Sequence, residues 1–273
     1  MTTTVTTVAD LRAALASAKR VGMVPTLGAL HEGHLSLVRE ARKHADLVVV
    51  SIFVNPTQFA PNEDFDAYPR PLEADLARLA GHADLVFTPT AREIYPDGHA
   101  TTISVAGPSA GLETDFRPHF FSGVATVVAK LLIAAMPEVA VFGEKDYQQL
   151  QVIRQMVRDL ALPVEIVGAP TLREPDGLAL SSRNAYLSPT ERNTAGRLNV
   201  ILKDAIVRAR AGDLHAAEAW AMKALEEAGF NSVDYVAIRD AETLAPVTIL
   251  ARPARILAAA KIGKTRLIDN MPL

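Results

Sequence analysis

The stretch Val21-Gly-Met-Val-Pro-Thr-Leu-Gly-Ala-Leu-His31-Glu-Gly-His34 decides how the rest of the chain is interpreted. Its apolar start predicts a strand over 21–25, and the spacing of the apolar residues that follow predicts a helix from about 33 to 44. A strand that passes directly into a helix is typical of a βαβ unit. The sequence therefore predicts a parallel sheet, with two histidines and two glycines at its first strand-to-helix turn.

The same alternation of apolar runs and helical spacing continues along the chain. Strands are predicted at 47–54, 84–88, 139–142 and 164–167, with helices near 72–80, 123–136 and 145–160. The run 47–54 is apolar on both faces, which is typical of a central strand in a parallel sheet. Right-handed crossovers then give a Rossmann-like, doubly wound α/β sheet with helices on both faces.

A cluster of prolines and glycine between 170 and 189 marks a boundary between two domains. We expect residues 1–176 to form the domain of the parallel sheet and residues 177–273 to form a small α+β domain. Two helices, near 190–210 and 214–228, and two strands, at 233–238 and 254–260, are predicted in the smaller domain. The segment 263–265 resembles the end of a phosphate-binding loop, but Ala258 replaces the required glycine, so a turn is predicted there.

Composition excludes several classes of function. The 273 residues are 49% hydrophobic and carry a formal net charge of −3, which gives no long-range attraction for nucleic acid or an anionic membrane. Apolar runs are too short to cross a bilayer, and the N-terminus lacks the pattern of a secretory signal. The absence of cysteine excludes thiol nucleophiles and thiolate metal sites and suits a reducing compartment, so a cytoplasmic location is expected.

The first turn has the chemistry of an anion-binding site. The crevice at the carboxyl ends of parallel strands is where such sheets bind ligands, and a helix N-terminus offers unpaired N–H groups to phosphate. His31 and His34 are three residues apart, so on a helix they share a face and can bind one anion. A zinc site is the competing interpretation, although the motif is not H-E-x-x-H and no cysteine could complete a common structural set.

Three further motifs carry polar side chains in similar positions. Gly143-Glu-Lys145-Asp146 follows a predicted strand and offers one cation to a phosphate. Leu180-Ser-Ser-Arg183 lies in the boundary loop and could wrap a polyphosphate. Phe53-Val-Asn55-Pro-Thr-Gln58-Phe59 provides amides between apolar walls. Alone, each motif also has a simpler interpretation. The first is compatible with a surface lysine beside a capping aspartate, the second with a polar turn, and the third with an Asn-Pro turn.

Together, and in this order, the four motifs resemble the pantothenate synthetase family, the pantoate–β-alanine ligases of the H-x-G-H nucleotidyltransferase superfamily. The resemblance runs over most of the chain. It includes V-P-T-L-G-A-L-H-E-G-H, S-I-F-V-N-P-T-Q-F followed by N-E-D-F and Y-P-R, G-E-K-D-Y-Q-Q-L, and D-G-L-A-L-S-S-R-N.

The resemblance implies an ATP-dependent ligase that forms a C–N amide bond in pantothenate biosynthesis. (R)-Pantoate would attack the α-phosphorus of ATP and release pyrophosphate, and β-alanine would then attack pantoyl adenylate and release AMP. No covalent enzyme intermediate is needed, which agrees with the lack of cysteine. The resemblance further implies Mg²⁺ as cofactor and a homodimer. It also implies that the domain over residues 1–176 binds nucleotide and pantoate and that the small domain over 177–273 is a lid.

Site residues follow from the same resemblance. The catalytic residues would be His34 as an acid, His31, Lys145 and Arg183, and pantoate and β-alanine would contact Gln58, Gln149 and Asn55. Asp75 would be the carboxylate on the side of the magnesium ion. The ATP-binding residues would be Leu27, Gly28, Ala29, Leu30, His31, Gly33, His34, Gly143, Glu144, Lys145, Asp146, Leu172, Leu180, Ser181, Ser182 and Arg183.

The sequence departs from the family pattern at two places. Leu27 replaces the usual methionine, a swap of similar volume. In Arg117-Pro-His119-Phe120-Phe-Ser-Gly123, His119 and Phe120 occupy the positions where the family commonly has glycine and histidine. Two other functions stay open at this point: a simple nucleotidyltransferase that stops at an adenylylated product, and a nucleotide-sensing module without turnover.

Overall fold

The computed structural model describes residues 2–59 and 65–273. In these residues, six parallel strands form one sheet in the order β1-β4-β3-β2-β5-β6. The strands are β1 (Thr3–Val5), β2 (Val21–Thr26), β3 (Leu47–Ile52), β4 (Leu85–Phe87), β5 (Val139–Gly143) and β6 (Glu165–Ala169).

Helices cover both faces of this sheet because its strands are apolar on both sides. Side chains such as Met23 and Val49 face one apolar cluster, whereas Val24 and Val50 face another. The first cluster includes helices α1 (Val8–Leu15), α6 (Phe120–Ala135) and α7 (Tyr147–Asp159), and the second includes α2 (Glu32–His44) and α3 (Leu72–Leu79). Two short helices, α4 (Ala91–Ile94) and α5 (Glu113–Phe116), lie in the connection from β4 to α6.

The strand order places the ligand-binding crevice. From β2 the chain moves outward in one direction to β3 and β4, and β5 then starts on the other side of β2 and leads to β6. The crossovers therefore diverge between β2 and β5, which is the topological switch point where open α/β sheets bind ligands. The motif with His31 and His34 follows β2, and the motif with Lys145 follows β5.

The C-terminal part has its own apolar cluster, which extends from Leu178 to Met271. Three antiparallel strands, β7 (Ser232–Asp240), β8 (Ala254–Ile262) and β9 (Thr265–Pro272), form its sheet. Helices α8 (Pro189–Ala195), α9 (Arg197–Ala211) and α10 (Leu214–Glu227) belong to the same cluster. Leu257 on the other face of β8 packs into the cluster of the larger sheet, so the small sheet joins the two cores.

The predicted fold class is confirmed, and several details differ. The helix predicted over 190–210 is two helices that meet at Gly196, and α6 begins at Phe120. The sequence did not predict β1, α1 or β9. β1 has three residues, and β9 mixes buried polar with apolar positions, so neither shows clear strand alternation. The turn predicted at 263–265 consists of Gly263 and Lys264, and Thr265 begins β9. None of the helices in the described ranges combines the length and apolar character that crossing a membrane requires.

Candidate active site

A cavity of about 1250 Å³ opens at the carboxyl ends of β2 and β5 and extends to the C-terminal sheet. It brings together most of the residues that the sequence predicted for the site. These are Leu27, His31, Gly33, His34, Gln58, Gly143, Lys145, Asp146, Gln149, Leu172, Leu180, Ser181, Ser182 and Arg183. The remaining candidates, Gly28, Ala29, Leu30, Asn55, Asp75 and Glu144, are not part of its lining. N-E-D-F, apart from Phe65, falls outside the described residues.

The two histidines are fixed by the N-terminus of α2. The Nδ1 atom of His31 accepts a hydrogen bond from the Gly33 N–H at 3.1 Å, and Nδ1 of His34 accepts from the His31 N–H at 3.2 Å. The motif needs glycine at position 33 because a Cβ there would lie 2.8 Å from the His31 ring. Since both Nδ1 atoms are acceptors, each neutral ring carries its proton on Nε2.

Both imidazoles are held in the neutral form. Burial lowers the pKa of His31 to about 4, with a further contribution from the positive charge of Lys145. Burial, the neighbouring His31 and Lys145 lower the pKa of His34 to about 3. The two ring centroids are 4.1 Å apart. At neutral pH the turn therefore has two adjacent Nε2–H donors and no cationic imidazole.

The carboxylate of Asp75 holds the loop that leads to these histidines. One oxygen accepts from the Ala29 N–H at 2.8 Å and the other accepts from the Leu30 N–H at 2.7 Å. Gly28 and Ala29 have φ angles of 87° and 51°, so the loop adopts a conformation that needs such support. Asp75 is 2% exposed. Each oxygen thus accepts one backbone hydrogen bond, so the carboxylate stabilises the loop through both of its oxygens.

Lys145 lies in a single turn of 3₁₀ helix, Glu144–Asp146, between β5 and α7. Its ammonium group is 3.8 Å from the Asp146 carboxylate, and its charge acts on both imidazoles. The turn is held from β9, where the Asn270 side chain donates to the carbonyl oxygens of Glu144 and Lys145. Sequence reasoning missed Asn270, since its strand was not predicted and a single asparagine far along the chain carries no local signal.

The third predicted motif faces the cavity from the C-terminal segment. Ser181 caps a 3₁₀ turn, Ser182–Tyr186, by accepting a hydrogen bond from the Arg183 N–H at 3.3 Å. The Arg183 guanidinium lies 5.8 Å from the centroid of the Tyr68 ring. A backbone hydrogen bond of 2.9 Å from Leu180 to Leu172 joins the two sides of the loop.

Amide side chains mark another part of the cavity. Gln58 lines it, whereas Asn55 is fully buried behind it. Asn55 donates to Gln58 Oε1 at 3.1 Å and to the Gly123 carbonyl at 3.2 Å, and its own oxygen accepts from Tyr95 and Thr57. Asn55 therefore positions Gln58 and leaves the Gln58 Nε2 group as the donor for a ligand.

The unusual segment after Arg117 forms part of the wall. Phe120, which stands at the family's histidine position, begins α6 and lines the cavity. The guanidinium of Arg117 lies over its ring at 3.8 Å and donates to the Gln58 carbonyl oxygen at 3.3 Å. An apolar ring and a stacked cation thus occupy this position.

The doubly wound sheet, the H-x-G-H turn at its switch point and the lysine in the turn after β5 place the chain among α/β enzymes that bind nucleotides. The family model described as pantoate-beta-alanine ligase matches residues 2–272. The chain belongs to this family.

Relatives and solved structures agree with this assignment. The pantothenate synthetases of Mesorhizobium japonicum and Caulobacter vibrioides are 61% and 57% identical, over 98% of this chain and 96% and 97% of their own. The Thermus thermophilus pantothenate synthetase structure has a TM-score of 0.90 at 50% identity, with 98% of both chains covered. The Francisella tularensis pantoate-beta-alanine ligase, complexed with β-γ ATP and β-alanine, has a TM-score of 0.84 at 36% identity, with 99% and 97% covered. The chain is accordingly a ligase of pantothenate biosynthesis that joins pantoate to β-alanine.

Proposed function

We propose that the cavity binds ATP, pantoate and β-alanine and forms pantothenate through pantoyl adenylate. One observation carries the proposal: imidazoles after β2, an ammonium after β5 and a guanidinium from the C-terminal segment line the same cavity. Such a set surrounds a polyphosphate with donors and positive charge. The ATP complex of the Francisella tularensis relative supports the choice of nucleotide.

Two displacements complete the reaction. A carboxylate oxygen of pantoate attacks the α-phosphorus of ATP, and the bond to the pyrophosphate oxygen breaks. The neutral amine of β-alanine then attacks the acyl carbon of pantoyl adenylate, AMP leaves with the electron pair of the acyl–oxygen bond, and the nitrogen loses a proton. The side chains supply position and charge stabilisation, which account for most of the catalysis of phosphoryl and nucleotidyl transfer.

We assign His31 and His34 as neutral hydrogen-bond donors to phosphate oxygens. The family resemblance implies that His34 is an acid, but a pKa of about 3 leaves almost no imidazolium at neutral pH. A neutral Nε2–H can still donate to an oxygen that gains charge as pyrophosphate leaves. Lys145 and Arg183, with Ser181 and Ser182, neutralise and bind the phosphates.

We assign pantoate to the part of the cavity beside Gln58 and Gln149. Both amides line the cavity, and the apolar rings of Phe53 and Phe120 stand nearby in its wall. An amide donates to a carboxylate or hydroxyl without adding charge, which suits a small hydroxy acid. Asn55 contributes through its hydrogen bond to Gln58 and not by contact with substrate.

Several further assignments complete the proposal. Mg²⁺ enters with ATP as part of the substrate, and none of the described residues forms a group of three metal-ligating side chains. The domain boundary lies between 176 and 177, supported by the apolar cluster that begins at Leu178. The family resemblance supports a homodimer. The absence of cysteine supports a cytoplasmic location.

The decisive experiment mixes purified protein with ATP, Mg²⁺ and pantoate, with and without β-alanine, and identifies the products by mass. We expect pyrophosphate and pantoyl adenylate without β-alanine, and pantothenate with AMP when it is added. AMP release that does not depend on β-alanine would instead identify a nucleotidyltransferase that stops at the adenylylated product. Binding of ATP without any turnover would identify a nucleotide sensor.

A further inference from the structure

We propose that Asn270 is a positioning residue that holds Lys145 in place from the C-terminal sheet. The inference rests on the proposed function of Lys145 at the ATP phosphates. Asn270 is 125 residues away from Lys145 in sequence, on the last strand of the chain. The C-terminal sheet would thus be part of the ATP site and not only a cover for it.

The contact is made by one side chain to two consecutive backbone carbonyls. Asn270 Nδ2 donates to the Glu144 oxygen at 2.9 Å and to the Lys145 oxygen at 2.8 Å. These two hydrogen bonds use both protons of the amide and fix the backbone from which the Lys145 side chain extends. A rotation of this turn would move the ammonium group, and an error of about 1 Å in the position of a catalytic group can lower a rate about 10²-fold.

Asn270 is itself held rigidly. Its backbone N–H donates to the Asp269 carboxylate at 2.7 Å, and its carbonyl accepts from Arg173 at 3.3 Å. Arg173 also makes a bidentate ion pair with Asp269, with N···O distances of 2.7 and 2.9 Å. Strand β9 is therefore braced at this residue.

The environment of the Asn270 Oδ1 atom indicates that the side chain serves mainly as a hydrogen-bond donor to the turn. Asn270 is 3% exposed, and its Oδ1 atom is buried without a hydrogen-bond partner. A buried acceptor without a partner destabilises the fold, so an apolar residue would serve simple packing better. The two bonds to the turn are the gain that offsets this loss.

A second contact from the same sheet acts on the same turn. Arg255 on β8 is paired with Glu144 at 2.9 Å, and its guanidinium lies over the Tyr147 ring at 3.8 Å. Glu144 and Tyr147 flank the Lys145-Asp146 pair in the sequence. Two neighbouring strands of the C-terminal sheet thus hold both ends of the segment that presents the ammonium.

The test is a double-mutant cycle of Asn270→Ala with Lys145→Ala, measured as pantoate-dependent exchange of pyrophosphate into ATP. We expect Asn270→Ala to lower kcat/KM for ATP about 30-fold and to leave the KM for pantoate nearly unchanged. In the Lys145→Ala background the same substitution should have almost no further effect, because a residue that acts through Lys145 has nothing left to position. Asn270→Ser, which retains one donor, should recover part of the loss.

Two results would overturn the inference: undiminished kcat/KM for ATP in Asn270→Ala, or losses from the two substitutions that multiply in full. Leu225→Val, in the core of the C-terminal part away from the cavity, controls for a general loss of stability and should not change exchange. If Asn270→Ala does not fold, Asn270→Ser carries the same cycle and the same criteria. Normal exchange in the Lys145→Ala single variant would contradict the proposed function itself, whatever the Asn270 variants do.

Discussion

The turns after β2 and β5 stand side by side at the switch point of the sheet, yet they are built in different ways. The turn with His31 and His34 is stabilised by its own backbone and by Asp75, which follows within 50 residues of the motif. The turn with Lys145 is held mainly from β8 and β9, more than 100 residues later in the chain.

The two turns therefore depend on different parts of the molecule for the positions of their side chains. The imidazoles are placed once the parallel sheet and α2 have formed, since their partners belong to that part of the chain. The proposed role of Asn270 makes the position of the ammonium depend on the C-terminal sheet as well. Substitutions in the first turn should therefore act on chemistry directly, whereas the second turn should respond to distant changes.

The largest effect expected is that of His34→Asn. The asparagine oxygen can replace Nδ1 as the acceptor for the His31 N–H, so the turn stays folded, but the Nε2–H donor is lost. We expect adenylate formation to fall about 10²-fold or more, as for other groups that stabilise developing charge. The measurement is the single-turnover rate of pyrophosphate release.

A neutral donor and an acid differ in their pH dependence. With a pKa near 3 for His34, the rate should show no loss assignable to this residue between pH 6 and 8. An acidic His34 would give a rate that falls as pH rises through its pKa in that range, and only in the wild-type protein. Unchanged pyrophosphate release in His34→Asn would contradict any chemical role for the ring.

The second prediction separates loop support from metal binding at Asp75. Asp75→Ala leaves the buried N–H groups of Ala29 and Leu30 without acceptors, which costs about 1–3 kcal/mol for each group. We expect the KM for ATP to rise about 10- to 50-fold while the Mg²⁺ concentration for half-maximal rate stays the same. Glu73→Ala, an exposed carboxylate in the first turn of α3, is the matched control. A higher Mg²⁺ requirement at unchanged ATP affinity would instead identify Asp75 as a metal ligand.

These two turns also show how far the sequence could predict the site. The turn after β2 could be predicted from the sequence, because its strand, glycines and histidines are contiguous and their spacing has a direct physical meaning. The burial of Asn55 behind Gln58 could not be predicted, since spacing does not reveal which amides line a cavity and which lie beneath its wall. Asn270 and Arg255 could not be predicted, because their contacts depend on how two sheets dock and not on any local pattern.

The third prediction concerns the hydrogen-bonded amide pair Gln58 and Asn55. Gln58→Ala should raise the KM for pantoate about tenfold and leave the KM for ATP nearly unchanged, since a pantoate oxygen loses its donor. Asn55→Ala should produce a weaker shift in the same direction, because Gln58 then loses the hydrogen bond that orients it. Steady-state kinetics with each substrate varied in turn make the comparison. A change confined to ATP would place pantoate elsewhere in the cavity.

The last prediction is a pH dependence of stability that arises from the two histidines of the first turn. The pKa values of His31 and His34, lowered from 6.5 to about 4 and about 3, mean that the unfolded chain binds more protons than the folded one between these limits. The free energy of unfolding should therefore fall as pH drops below 6.5, by about 1.4 kcal/mol per pH unit for each histidine. Denaturant unfolding between pH 7 and 4.5 measures this slope, and in the variant with both histidines replaced by asparagine it should be shallower. Equal slopes in the two proteins would mean that both rings have the same pKa in the folded and the unfolded chain, and burial would then not be what keeps them neutral.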